Sequence, residues 1–410
     1  MNKQIRTLLF VVITLVLFSL KLYAQPLHFI AYGDTRRDIK TKEKLQIKHD
    51  AIARVIQDLN PDFILFSGDM VYYNEFDKFR DVITRNYTGD KMIPIYPVIG
   101  NHELIFGEKV DLLIQDLLEK IAVVNKSAEG QLSPHTGILN EIELLRGKLY
   151  KEIESVTEAK LKTRSREVLC EEICNKLDAT YISYLKDLLC KTTNGQSWYS
   201  FVKETDGVKI KFIALNSSLP DDEEQFQWFL DELKQFHGPK IIFAHYPPYS
   251  VGHHGCTDML NSKSRAARFR DRYTKVFNNL SHNIILVISG HEHNYQRFVK
   301  TDKTGVVQLP VYIVSGGGGA ELTGQGECDI SRIPLDGFQC LGLVTAYHFV
   351  DVTAHTDDKK NVTLKCKALG LRCDLTMEPP DDSSFERLFV KERLEVIDDF
   401  TLNWQISMIP

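Results

Sequence analysis

Six polar side chains in this 410-residue chain each follow a short apolar run. Asp34 follows Leu27 to Tyr32, Asp69 follows Phe63 to Phe66, Asn101 follows Ile93 to Ile99, His245 follows Lys240 to Ala244, and His291 and His293 follow Ile284 to Ile288. Carboxylate, amide oxygen and imidazole together make a metal-ligand set. Imidazole suits Zn, Fe, Cu or Ni and oxygen suits harder ions, so the mixture points to Fe, Zn or Mn rather than to a calcium cage. The i, i+2 spacing of His291 and His293 puts both on one face of an extended segment, or lets a turn direct both at adjacent points. Two neighbouring ions would use that arrangement. Ions ~3.5–4 Å apart activate water, clamp a phosphoryl group and stabilise a leaving oxygen. Taken singly, each residue has a plainer role: Asp at a strand end usually caps a helix or forms a turn, and an isolated His is usually packed or solvated. Six at equivalent strand ends argue for a site.

The elements that must position them read as α/β. Leu27 to Tyr32, a helical stretch from Lys42 to Leu59, and Phe63 to Phe66 predict a βαβ unit with parallel strands, and Ile93 to Ile99 repeats the pattern. Ligands of parallel sheets collect beyond the carboxyl ends of the strands, so Asp34, Asp69 and Asn101 should share a rim, with Asp69 on the middle strand. Further strands are expected from Trp198, Val208, Lys240, Ile284, Val311, His348, Val362 and Leu394, and helices over Glu223 to Gln235 and Lys263 to Asn279. Between 104 and 196 the alternation gives way to charged, leucine-rich sequence at helical spacing. This predicts a helical insertion rooted at the rim, either a cap over the site or a surface decoration. The four glycines from Gly316 to Gly319 could let backbone approach the site, but they lack the helix start of a phosphate loop and read rather as a tight turn. The Pro-Pro-Asp-Asp-Ser-Ser stretch from 379 reads as a surface loop.

Hydrophobic residues at 43% and charged residues at 26% are ordinary globular values and exclude a disordered or collagenous chain. The formal net charge of −5, without a basic stripe interleaved with aromatics, argues against a nucleic-acid partner. Lys3 and Arg6 precede an apolar run from Leu8 to Leu20, shorter than the ~20 residues of a membrane-spanning helix. That pattern predicts a signal peptide over residues 1–24, cleaved after Ala24, with an uncleaved anchor as the alternative. Once it is removed no stable membrane span is expected, and the mature protein would be secreted, periplasmic or held at the cell surface. The eight cysteines then read as disulfides. Proximity suggests Cys328 with Cys340 and Cys366 with Cys373, leaving Cys256 and Cys190 for Cys170 and Cys174.

In order along the chain, Gly33-Asp34, Gly68-Asp69, Gly100-Asn101-His102-Glu103, His245 and Gly290-His291-Glu292-His293 resemble the blocks of the calcineurin-like metallophosphoesterases. The resemblance spans about residues 27 to 320, interrupted by the insertion. Gly68-Asp69-Met70-Val71-Tyr72 and the run from Gly290 to Arg297 are similar to the corresponding blocks of purple acid phosphatases. The resemblance implies a four-layer α/β/β/α sandwich built from residues 25–103 and 197–410, with 104–196 inserted. It implies one metal held by Asp34, Asp69, Tyr72 and His293, and a second by Asp69, Asn101, His245 and His291. The implied pair is Fe(III) with Zn, Mn or Fe(II). His102 would protonate the leaving oxygen or bind phosphate, oriented by Glu103, and His254, rather than His253, would contact phosphate. Arg36 departs from the pattern: many relatives carry a ligating His there and purple acid phosphatases a Gly, whereas a guanidinium cannot coordinate a cation. The implied activity is that of an exported dinuclear phosphomonoesterase acting on a small phosphorylated substrate by in-line attack of metal-bound water or hydroxide. A phosphodiesterase or nucleotide hydrolase on the same site, and a secreted binding protein with a vestigial metal site, are the alternatives.

Overall fold

A strand whose two faces are both apolar must be covered on both sides. In β1 (Leu27–Tyr32), Phe29 and Ala31 join one core cluster while Ile30 and Tyr32 join another, and all four are buried. The next strand, β2 (Phe63–Phe66), divides in the same way, Phe63 and Leu65 against Ile64 and Phe66. The computed structural model describes residues 26–36, 46–71, 76–87, 92–104, 197–376 and 381–405. Within them, α1 (Ile47–Leu59) connects β1 to β2 and α2 (Phe76–Tyr87) connects β2 to β3 (Ile95–Pro97). Both strand pairs are parallel, with β2 in the middle.

The second half supplies the remaining strands: β4 (Tyr199–Thr205), β5 (Val208–Ala214), β6 (Lys240–Phe243), β7 (Ile284–Ser289), β8 (Tyr295–Thr301), β9 (Val307–Ser315), β10 (Gln339–Val344), β11 (Ala346–Thr356), β12 (Val362–Arg372) and β13 (Glu395–Trp404). Two sheets result, one of six strands ordered β13-β12-β11-β1-β2-β3, the other of seven ordered β10-β8-β9-β7-β6-β5-β4. Their inner faces form the central core, where Phe29 stacks on Phe63 at 5.2 Å and meets Phe212 of the facing sheet edge-on at 5.4 Å. Truncating one such aromatic typically costs ~3–5 kcal/mol. The outer face of the first sheet carries α1, α2 and α5 (Asp382–Leu388). That of the second carries α3 (Glu223–Gln235) and α4 (Arg265–Phe277). The layers are therefore α/β/β/α. Asp222 and Ser264 accept N–H bonds from Gln225 and Ala267 at the starts of α3 and α4, caps worth ~1 kcal/mol each.

The expected bounds of β1, β2 and α3 hold, whereas α2, β8 and β10 were not anticipated. The 379–384 loop reading is corrected from Asp381 onward: Asp381 accepts from the Ser384 N–H and starts α5. The predicted signal peptide and the helical character of the insertion lie outside the described residues. Strands β1 to β3, before residue 104, share a sheet with β11 to β13, after residue 197. No helix among the described residues is long and apolar enough to cross a membrane.

The disulfide pairings need correction. Cys256 bonds Cys328, 72 residues away, which rules out Cys328 with Cys340 and Cys256 with a cysteine of the insertion. An isolated bridge between Gly252 and Gln325, and a Gly326 N–H to Val251 carbonyl bond of 3.1 Å, bring the two loops together. Cys366 lies within β12 and Cys373 just beyond it, so extended chain separates them by ~23 Å, far beyond disulfide reach. Cys340, Cys366 and Cys373 are free thiols. Cys170, Cys174 and Cys190 lie outside the described residues.

Candidate metal centre

Three of the singled-out residues turn the chain at strand ends by entering the left-handed region, where φ is 59° at Asp34, 54° at Asp69 and 71° at His291. Such conformations cost ~1–3 kcal/mol and persist where surrounding bonds over-determine them. Here the Asp34 N–H donates to the Gly68 carbonyl (2.9 Å) and the Thr35 N–H to the Asp69 carbonyl (3.0 Å), zipping the β1 and β2 turns together. The His291 N–H donates to both Asp34 carboxylate oxygens, at 3.1 and 3.0 Å. Two glycines permit this closeness. A Cβ at Gly100 would lie 2.2 Å from Asp69 Oδ1, and one at Gly316 would lie 2.2 Å from the Glu292 carbonyl oxygen and 2.8 Å from Asp34 Oδ2. The glycine run from 316 therefore lets backbone press against the site, the less favoured of its two sequence readings.

The orientation of the imidazoles follows from what their other nitrogens must do. His245 Nδ1 faces the Ser67 carbonyl at 2.9 Å and His293 Nδ1 the Glu321 carbonyl at 2.6 Å; a carbonyl only accepts, so both nitrogens are donors. In the neutral ring this leaves Nε2 with a lone pair. His245 Nε2 points at Asn101 Oδ1 (2.9 Å) and Asp69 Oδ1 (3.3 Å), and His293 Nε2 at Asp34 Oδ1 (3.6 Å). His291 Nε2 donates to Asp258 Oδ2 at 2.9 Å, leaving Nδ1 free for a ligand. Two ligand sets result, Asp34–Asp69–His293 and Asp69–His245–His291, all buried, with donor atoms in each set within 4.8 Å of one another. Asp69 belongs to both.

Lone pairs converging on lone pairs call for a positive charge between them. Burial pushes Asp34 well above the usual carboxylate range, helped by the neighbouring Asp69 charge. For Asp69 burial also acts upward, but His245, His102 and Arg36 outweigh it and hold the group below that range. Burial drives His291 and His293 well below ordinary imidazole values, so a proton is a poor occupant and these rings are neutral donors. The donor set fits two cations sharing Asp69, with buried carboxylates that need a compensating charge.

The remaining expectations divide. His102 lies beside Asp69, its N–H donating to Oδ1 at 2.9 Å and its Nε2 3.8 Å from Oδ2. Glu103 accepts from the N–H groups of Asp69 (2.9 Å), Met70 (2.7 Å) and Gly100 (2.7 Å), fastening the β2 turn to the Asn101 segment. Burial and Asp69 push Glu103 up to about 8. The His254 ring lies 4.1 Å from that of His291, while His253 is exposed. Tyr72 lies outside the described residues.

Sequence reading missed Asp258 and the part played by Glu292. Asp258 sits one turn beyond His254 in a π-helical segment, Gly255–Met259, and completes a third set with His254 and His291. Glu292 accepts from Ser250 Oγ (2.7 Å), the Gly255 N–H (2.8 Å) and Thr323 Oγ1 (3.3 Å). Together with the Cys256–Cys328 bond it fixes the loop that carries His254 and Asp258. The signal for Asp258 was its i+4 spacing from His254; nothing local marked Glu292 as a loop clamp.

A strand-end centre of shared carboxylate and imidazoles between two sheets defines a metallophosphoesterase. Residues 28–295, more than half of the chain, match the family model of calcineurin-like phosphoesterases, and the chain belongs to that family. Its fold is similar to that of purple acid phosphatase PPD1 from yellow lupin (Lupinus luteus) seeds, with a TM-score of 0.52 and 14% identity, covering 94% of this chain and 55% of that one. This chain thus spans about half the length of the lupin protein. A structure of PhoD aligns with a TM-score of 0.46 and 10% identity, covering 93% of this chain and 72% of that one. No curated protein matches the sequence.

Proposed function

We propose that this chain is an exported, acid-phosphatase-type phosphomonoesterase with a dinuclear metal centre. The observation that carries the reading is the sharing of buried Asp69 between the Asp34–His293 and His245–His291 pairs. Asn101 would complete the second set and Tyr72, three residues past Asp69, the first. Cations held there supply Lewis acidity toward phosphoryl oxygens and an activated water at neutral pH. Two carboxylates and a phenolate in the first set favour Fe(III), and the imidazole-rich second set favours Zn, Mn or Fe(II). His102, at the rim beside Asp69, would hold a proton for the leaving oxygen, and His254 would hold a phosphoryl oxygen. Asp258 keeps His291 in the tautomer whose Nδ1 carries the lone pair. Export rests on the basic and apolar amino terminus, and a substrate-selecting cap is the role proposed for residues 104–196. The test is hydrolysis of para-nitrophenyl phosphate by metal-analysed full-length protein. Activity should vanish on chelation and return as two equivalents of metal are restored. A protein with two bound ions that hydrolyses no phosphate ester would refute the reading.

A further inference from the structure

Arg36 follows the Asp34 turn by two residues and leaves it from a fixed base. The Thr35 N–H donates to the Asp69 carbonyl (3.0 Å) and Thr35 Oγ1 to the Met70 carbonyl (3.3 Å). The half-buried Arg36 side chain then reaches the centre, with Nη2 3.5 Å from His293 Nε2, the nitrogen whose lone pair faces Asp34. That lone pair serves one cation at a time. A guanidinium cannot ligate a metal, and a metal taking His293 Nε2 repels it. Anchored at its base and only half-buried, the side chain stands at the partly exposed edge of the centre, beside the ligand atoms. A phosphoryl group approaching the ions presents its non-bridging oxygens there. The planar fork of Arg matches two such oxygens at once.

Building on the phosphoesterase reading, we infer that Arg36 binds non-bridging phosphoryl oxygens and selects monoester dianions over diesters. A monoester offers three non-bridging oxygens and two negative charges. A diester offers two oxygens and one charge, and places a second organic group where the guanidinium would bind. The residue that cannot ligate a metal thus acquires a function through the charge that disqualifies it as a ligand.

The experiment uses the full-length metal-loaded protein as wild type, Arg36→Gln and Arg36→Lys. Metal content, calorimetric binding of inorganic phosphate, and kcat/KM for para-nitrophenyl phosphate and bis(para-nitrophenyl) phosphate are compared. Arg36→Gln should keep both ions, weaken phosphate binding about 10- to 100-fold, and lower monoester kcat/KM by a similar factor while diester turnover stays within about threefold. Arg36→Lys, which keeps the charge without the fork, should recover part of the phosphate affinity. Unchanged phosphate affinity, equal loss on both esters, or loss of a metal in Arg36→Gln would each overturn the inference. Wild-type protein inactive on both esters with two ions bound would instead refute the parent reading.

Discussion

On the His291 face of the centre, His245 and His291 join the shared Asp69 carboxylate, Asn101 Oδ1 lies 2.9 Å from His245 Nε2, and His291 is oriented by Asp258 at 2.9 Å. On the His293 face one imidazole, oriented by a backbone carbonyl, joins the buried Asp34 carboxylate, and Arg36 stands at the edge. A carboxylate-rich set suits a harder, more highly charged ion than an imidazole-rich one. The contrast teaches how one chain would favour two unlike ions, by varying the donors around a common bridge. It also shows where each face is open to change: Asp258 bonds His291 on one face, and Arg36 contacts His293 on the other.

The largest effect that would sharpen this division separates holding ions from moving protons. His102→Ala should leave both faces filled and lower kcat ~10²–10⁴-fold, the usual contribution of a general acid. Metal analysis and steady-state kinetics on one preparation check it, and loss of an ion would make His102 part of a face rather than a proton donor. A smaller effect tests the independence of the faces. Asp258→Asn should weaken one of the two ions ~10- to 100-fold by releasing the orientation of His291. Competitive metal titration should show the other ion unaffected, and equal weakening of both would break the comparison.

The parts of this arrangement that were legible in the sequence share a physical cause. Strands buried on both faces, such as Phe63–Phe66, read as unbroken apolar runs, and the glycine and polar residue after each run mark its rim end. Strand β8 (Tyr295–Thr301) was not legible because Gln296, Arg297 and Lys300 interrupt its pattern. Those residues are accommodated by tertiary partners: Arg297 pairs with Asp398 on β13, and Gln296 bonds Val251, Ser250 and Asn294. Glu292, too, makes its bonds to residues tens of positions away, so no local spacing announces its role. The Cys256–Cys328 bond failed to be read from proximity for the same reason, since loop docking rather than spacing brings the two together.

The two-ion centre depends on Asp69 serving both faces. Elemental analysis of folded Asp69→Ala protein, side by side with wild type, tests that dependence most directly. Wild type should carry two ions per chain and Asp69→Ala fewer than one, with hydrolysis abolished. Stoichiometric binding of two ions by Asp69→Ala would contradict the shared bridge.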